Sequence, residues 1–167
     1  MGPWGDIRQE IDISLAENHI VPTAIAARGD NFFVGNLWHF PITQQFSKIL
    51  TLSRECPTHT GVPGLDSCFG RTTLHVAGSR SGFTTVVGVE IGPDGLLYVL
   101  ELSDAAGFPT PGAGKVVRLN GDGNIEEVAT GLSVPTAMTF GPDGYLYVSN
   151  FGAAPAGAGQ IVRIDVH

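Results

Sequence analysis

The sequence predicts an all-β chain built from repeated four-stranded units, and three observations carry that prediction. A nine-residue motif occurs twice, as Ile91-Gly92-Pro93-Asp94-Gly95-Leu96-Leu97-Tyr98-Val99 and as Phe140-Gly141-Pro142-Asp143-Gly144-Tyr145-Leu146-Tyr147-Val148, 49 residues apart. A worn copy, Ala26-Ala27-Arg28-Gly29-Asp30-Asn31-Phe32-Phe33-Val34, lies upstream with one residue missing from its turn. The 23 glycines and 11 prolines fall mostly between short apolar runs, which is the texture of strands joined by tight turns. A repeat of this length marks stacked supersecondary units and is close to the period of propeller blades. The expected fold is a β-propeller with three four-stranded blades per chain, half of a six-bladed ring.

The strands follow in order. The first blade, over residues 21–78, takes strands at 22–26, 32–36, 48–52 and 73–77, with an insertion at 53–70. The second, over 83–130, takes strands at 86–91, 96–101, 115–119 and 125–129. The third, over 134–166, takes strands at 135–140, 145–150 and 160–164 and lacks an outermost strand. Alternation at period two puts Ile25 and Ala27 on one face, and Met138 and Phe140 on the equivalent face of the third copy. Ala24, Gly88 and Ala137 share one position of the first strand, where small residues suit strands converging on a crowded axis. In Gly-Pro-Asp-Gly, Pro fixes φ at the corner, Asp bonds locally and the glycines adopt φ > 0 at little cost. Tyr98 and Tyr147 then fall in the second strand, where aromatic residues pack between sheets. Residues 120–124, Asn-Gly-Asp-Gly-Asn, read as a polar hairpin loop.

Upstream, residues 7–16 place Ile11, Ile13 and Leu15 at alternate positions, just where an outermost strand would precede an innermost one. The chain thus offers one outer strand too many at its start and one too few at its end. Three blades do not close a ring of the usual ~4 to 8, and open ends expose apolar faces and strand edges. Two explanations stand: a homodimer in which each 7–16 strand completes the partner's last blade, or the C-terminal half of a longer propeller whose N-terminal half lies elsewhere.

Bulk composition narrows function. A net charge of -7 with only nine Lys and Arg argues against nucleic acid, which requires clustered cations. No apolar run approaches the ~18 residues of a membrane span, and the start of the chain lacks the pattern of a signal peptide. Cys56 and Cys68 bracket a loop absent from the other repeats, which reads as a disulfide and hence an oxidising compartment. Two free thiols, or a zinc site completed by His59 and His75, are the other readings, although the spacings match no zinc template.

The runs Val21-Pro22-Thr23-Ala24, Phe33-Val34-Gly35-Asn36-Leu37 and Phe40-Pro41 resemble a blade of the ScyD/ScyE proteins, a group of six-bladed propellers with NHL- and gluconolactonase-like repeats. Gly82-Phe83-Thr84-Thr85-Val86-Val87, leading into Gly92 to Glu101, resembles their next blade. Val134-Pro135-Thr136, Gly141 to Asn150 and Gly157 to Ile164 resemble the last. The likeness spans nearly the whole chain but only the C-terminal half of a family member. It implies an exported protein, extracellular or periplasmic, and carries no defined reaction. The missing half, the missing leader, the worn turn and the cysteine loop are departures from the family.

Asn36, Glu101 and Asn150 close the second strand of their blades, at the mouth of the expected axial channel. Oxygen donors converging there suit a small-molecule ligand or a hard cation such as calcium, as in related propeller lactonases and lyases, which is fold analogy. Equally, such side chains cap loop backbones. The five histidines form no triad pattern. His39, Trp38 and Phe40 lie on a long loop of the same face, available to line a pocket or to pack between blades. Thr23, Thr85 and Thr136 lie near the same mouth, and residues 108–114 and 153–159 read as mobile rims. The leading expectation is a non-enzymatic binding or scaffold propeller with its ligand face at Asn36, Glu101 and Asn150; the alternative is a calcium-dependent lactonase- or lyase-like enzyme with Glu101 as ligand or base.

Overall fold

The computed structural model describes residues 11–13, 20–55 and 73–166. Among them run eleven strands and no α-helix: β1 (Pro22–Arg28), β2 (Asn31–Asn36), β3 (Ser47–Glu55), β4 (Thr73–Phe83), β5 (Val86–Ile91), β6 (Leu97–Glu101), β7 (Gly114–Leu119), β8 (Ile125–Leu132), β9 (Ala137–Phe140), β10 (Leu146–Asn150) and β11 (Gln160–Ile164). They form three blade-like antiparallel sheets in the orders β1-β2-β3-β4, β5-β6-β7-β8 and β11-β10-β9, here called sheets 1, 2 and 3. The all-β class and the eleven strands of the three repeats are as the sequence predicts, and no sheet closes on itself. Cys56, Cys68 and His59 lie outside the described residues, as do residues 7–10 and 14–16 of the expected outer strand. Its described part, residues 11–13, joins no sheet, but Ile11 and Ile13 pack against a cluster of Val34, Leu50 and Leu52 on sheet 1.

The sheets stack in chain order, and strand alternation decides which side chains meet. One face of sheet 1, with Ala24, Ala26, Phe33 and Ile49, packs on Val89, Leu97, Val99 and Val117 of sheet 2. The other face of sheet 2, with Tyr98, Leu100 and Val116, packs on Met138, Phe140, Leu146 and Val148 of sheet 3. Tyr98 meets Phe140 edge-on, with ring centroids 5.0 Å apart at 77°, the arrangement the ring quadrupoles favour. The inner strands also bond across sheets, since the Thr23 hydroxyl donates to the Val86 carbonyl at 2.7 Å.

Register makes the repeat quantitative. Rows across the forward face read Ala24-Gly35-Ile49 in sheet 1, Gly88-Leu100-Val116 in sheet 2 and Ala137-Ser149-Ile161 in sheet 3. Val116 is 0% exposed beneath sheet 3, whereas Ile161, its counterpart, is 71% exposed. On the backward face, Ile25 of sheet 1 corresponds to Val89 of sheet 2, and their exposures are 64% and 4%. Burying such an aliphatic side chain contributes about 2 kcal/mol, so sheets 1 and 3 each leave stabilisation unused on their outward faces.

The Gly-Pro-Asp-Gly turn is held by its aspartate. Asp94 Oδ1 accepts the Leu96 N–H at 3.0 Å and Oδ2 accepts the Tyr98 hydroxyl at 2.9 Å. Asp143 repeats both bonds, with Tyr145 at 3.3 Å and Tyr147 at 2.7 Å. The tyrosine ring is thereby drawn over the first glycine: a Cβ on Gly92 would lie 2.4 Å from Tyr98 Cε2, and one on Gly141 would lie 2.7 Å from Tyr147 Cε2. In sheet 1 the worn turn is a two-residue hairpin loop between the paired Arg28 and Asn31. Gly29 there has φ of 59°, as the first central residue of a tight hairpin requires.

The two tyrosines predict unequal outcomes for one substitution. Gly92→Ala must displace a ring wedged under sheet 3 and should cost about 1–3 kcal/mol, the range of core overpacking. Gly141→Ala meets a ring with an open side and should cost clearly less. Urea denaturation of the two variants measures the difference, and equal losses would contradict a turn held by ring packing.

Candidate functional site

The second strands end, and the first strands begin, at one end of the stack, opposite the Gly-Pro-Asp-Gly turns. Asn36, Glu101 and Asn150 occupy this loop end, all three buried. Each acts as a clip. Asn36 Oδ1 accepts the Val21 N–H at 2.7 Å, Glu101 Oε2 accepts the Thr84 N–H at 2.6 Å, and Asn150 Oδ1 accepts the Ser133 N–H at 2.8 Å. The next residue returns the bond through its backbone: Leu37 to the Val21 carbonyl, Leu102 to the Thr85 carbonyl and Phe151 to the Ser133 carbonyl. The three side chains therefore supply acceptors to the backbone N–H groups that precede the first strands, at a buried site for Thr84 and partly buried ones for Val21 and Ser133.

Glu101 differs from the two asparagines in carrying charge. Burial pushes its carboxyl above the usual carboxylate range, and the Thr84 N–H, the Lys115 ammonium and the Thr85 N–H oppose that shift in decreasing order. Lys115 Nζ lies 4.0 Å from Glu101 Oε1, 3.5 Å from Asp104 and 3.3 Å from Glu127. Burial works against the Lys115 ammonium, but these carboxylates outweigh it and the lysine is held above its ordinary value. As a calcium site the set fits poorly. Each of the three residues already spends an oxygen on a separate backbone N–H, and an ammonium stands beside the remaining oxygen of Glu101. Among the described residues no group of three or more His, Cys, Asp or Glu could hold a metal ion.

Beside the clips, the loops are bonded to one another. Ile42 in the β2–β3 loop and Gly107 in the β6–β7 loop exchange both backbone bonds, at 2.7 and 2.9 Å. The Gln44 side chain donates to the Asp104 carbonyl at 2.7 Å, and Ser103 Oγ accepts the N–H groups of Ala105 and Thr110. Gly112 N–H donates to Ser133 Oγ at 3.0 Å. Within the run 108–114, expected as a rim of this face, small residues let the loop fold back on polar neighbours. Thr23 and Thr85 bond to backbone, at Val86 and Ser103.

The bonded loops carry exposed rings. Phe40, Phe46 and Phe108 are all exposed, Phe108 by 74%. The Trp38 ring centroid lies 5.5 Å from that of Phe46 and 5.7 Å from that of His39. Among the described residues, the non-glycine positions with left-handed backbone are Gln45, Val134 and Phe151, all in loops or joints at this same end. Such conformations cost about 1–3 kcal/mol each and cluster at functional surfaces. Sequence reasoning singled out Trp38, His39 and Phe40 but missed Phe46 and Phe108; for Phe108, a large aromatic inside a proline- and glycine-rich loop was the available signal. No family model and no curated protein sequence matches this chain.

Two substitutions test the clip. Asn150→Ala leaves the Ser133 N–H without its acceptor and should lower stability by about 1–3 kcal/mol. For Glu101 the direction with pH is fixed by its raised carboxyl. As pH rises from about 4, the unfolded chain ionises first, so the folded state loses stability until its own carboxyl ionises. The stability of Glu101→Gln relative to the unsubstituted chain should therefore improve between pH 4 and neutrality in urea titrations. A difference that moves the other way would remove burial as the dominant influence on Glu101.

Proposed function

We propose that this chain is a half-ring β-propeller of the ScyD/ScyE type, its three sheets serving as three blades, and that it works as a non-enzymatic binding module through its loop end. The repeat of motif, register and clip in all three sheets supports the propeller reading. One observation carries the binding reading: exposed rings and left-handed residues gather at the end where two loops are bonded across sheets, so that apolar surface is held there at a conformational cost. Asn36, Glu101 and Asn150 are the floor of this surface, holding strand ends and loops in place, and the contacts fall to Phe40, Phe46 and Phe108. A ligand with flat or apolar faces matches them best, because aromatic side chains give large contact area at little entropic cost.

The test uses 8-anilinonaphthalene-1-sulfonate as an apolar probe, followed through its own emission and through that of Trp38 in a Trp4→Phe background. The Phe40→Ala, Phe46→Ala, Phe108→Ala chain should weaken probe binding about tenfold, a change of about 1.4 kcal/mol, without altering the β-sheet circular dichroism. Unchanged binding overturns the loop-end reading. Calcium-dependent turnover of a lactone, abolished by Glu101→Gln, would replace it with the lactonase- or lyase-like alternative.

A further inference from the structure

We infer that the two outward faces of this chain are covered by a second copy of the same chain, two copies closing head to tail into one six-sheet ring. The argument starts from the contacts already made inside the chain. Sheet 1 presents its forward face to the backward face of sheet 2, and sheet 2 presents its forward face to the backward face of sheet 3. Position by position, the outward face of sheet 3 is a third copy of that forward face, with Ala137, Ser149 and Ile161 in one row and Thr139, Tyr147 and Arg163 in the next. Tyr147 and Arg163 match Tyr98 and Arg118, which stand together under sheet 3. The outward face of sheet 1 is likewise a copy of the backward face used twice elsewhere: Val34 is already buried in a cluster against which Ile11 and Ile13 pack, and Ile25, 64% exposed, is the part left open. The interface is continuous with one that the chain forms twice, and the chain itself carries both complementary halves.

That complementarity selects the occupant. A stack whose last sheet presents a forward face and whose first sheet presents a backward face fits its own copy, and a head-to-tail contact becomes a closed ring when the rotation allows it. Two copies give six sheets, within the usual ~4 to 8 of closed propellers. A second feature agrees. β4 and β8 are the fourth strands of sheets 1 and 2, while β11 is an outer edge with no strand beyond it among the described residues. Val128 and Ala129 of β8 pack against the same buried cluster as Val162 and Ile164 of the sheet that follows. Ile11 and Ile13 take the corresponding place on sheet 1, beside Leu74 and Val76. The fourth strand of a preceding sheet would lie there, so the β11 edge of the partner is brought beside the segment around Ile11 and Ile13.

Light scattering on the intact chain provides the test. At micromolar concentration the mass should be twice 17.5 kDa and should fall toward one chain on dilution. Ile161→Arg and Ile25→Arg, at positions already exposed within one chain, should each give monomers with unchanged β-sheet circular dichroism. A monomeric unsubstituted chain overturns the proposal, as does an open-ended series of larger assemblies. A dimer whose mass is indifferent to both substitutions overturns it as well, because its interface would lie elsewhere. Should a variant fail to fold, the mass of the unsubstituted chain still separates a closed pair from a monomer or an open series.

Discussion

Contact between consecutive sheets governs this molecule. Sheet 2 has neighbours on both sides, and its residues supply most of the fully buried side chains, Tyr98, Leu100, Val86, Val99, Val116 and Val117 among them. Sheets 1 and 3 each have one neighbour in the chain and correspondingly more exposed apolar surface. Such an arrangement behaves as a linear array, in which stability is a sum over units and junctions rather than a property of one central core. Small residues stand where the sheets approach closely: a Cβ on Gly35 of β2 would fall 2.6 Å from Val86 of sheet 2, and one on Gly88 of β5 would fall 3.5 Å from Met138 of sheet 3. Side-chain volume is rationed where sheets converge and spent farther out.

The two ends of the stack solve the same physical problem differently. Every sheet must reverse its chain at both ends without leaving backbone groups unpaired. At the turn end, Asp94 and Asp143 accept one backbone N–H and one tyrosine hydroxyl each, which couples turn conformation to the packing of a ring. At the loop end, Asn36, Glu101 and Asn150 reach across to the beginning of the first strand. Glu101 extends the scheme, since its second oxygen faces Lys115, and through that lysine the clip of sheet 2 is tied electrostatically to Asp104 in the loop and Glu127 on β8. The asparagines hold bonds of similar length without placing a buried charge.

Strand positions were legible in the sequence because alternation and turn chemistry are local. Ile25 with Ala27, and Met138 with Phe140, fall on the faces that period two assigns them, and the polar loop 120–124 closes as a hairpin with Asn124 N–H on Asp122. The equivalence of Asn36, Glu101 and Asn150 was legible too, because each closes a second strand. Their bonding was not, since whether an oxygen turns to a neighbouring N–H or to a ligand depends on residues 15 to 17 positions away. The bonding of the 102–113 loop was hidden for a related reason: its composition of Gly, Pro, Ala and Thr says that the backbone is adaptable, while the partners that fix it, Ile42 and Gln44, belong to another sheet. Phe46 was missed because an aromatic residue beside a strand reads as core until its surroundings are known, and Phe108 because its loop was read only for its small residues.

The links between neighbouring sheets are of two kinds, and the difference has a mechanical side. Sheets 1 and 2 are joined by directional bonds: the Ile42–Gly107 pair, Gln44 to Asp104, Thr23 to Val86 and the Arg28 guanidinium to the Gly95 carbonyl at 2.5 Å. Sheets 2 and 3 meet chiefly through hydrocarbon and aromatic surfaces, which resist separation but tolerate small sliding. Sliding sheet 1 over sheet 2 therefore has to break hydrogen bonds, whereas shear between sheets 2 and 3 acts mainly on apolar packing.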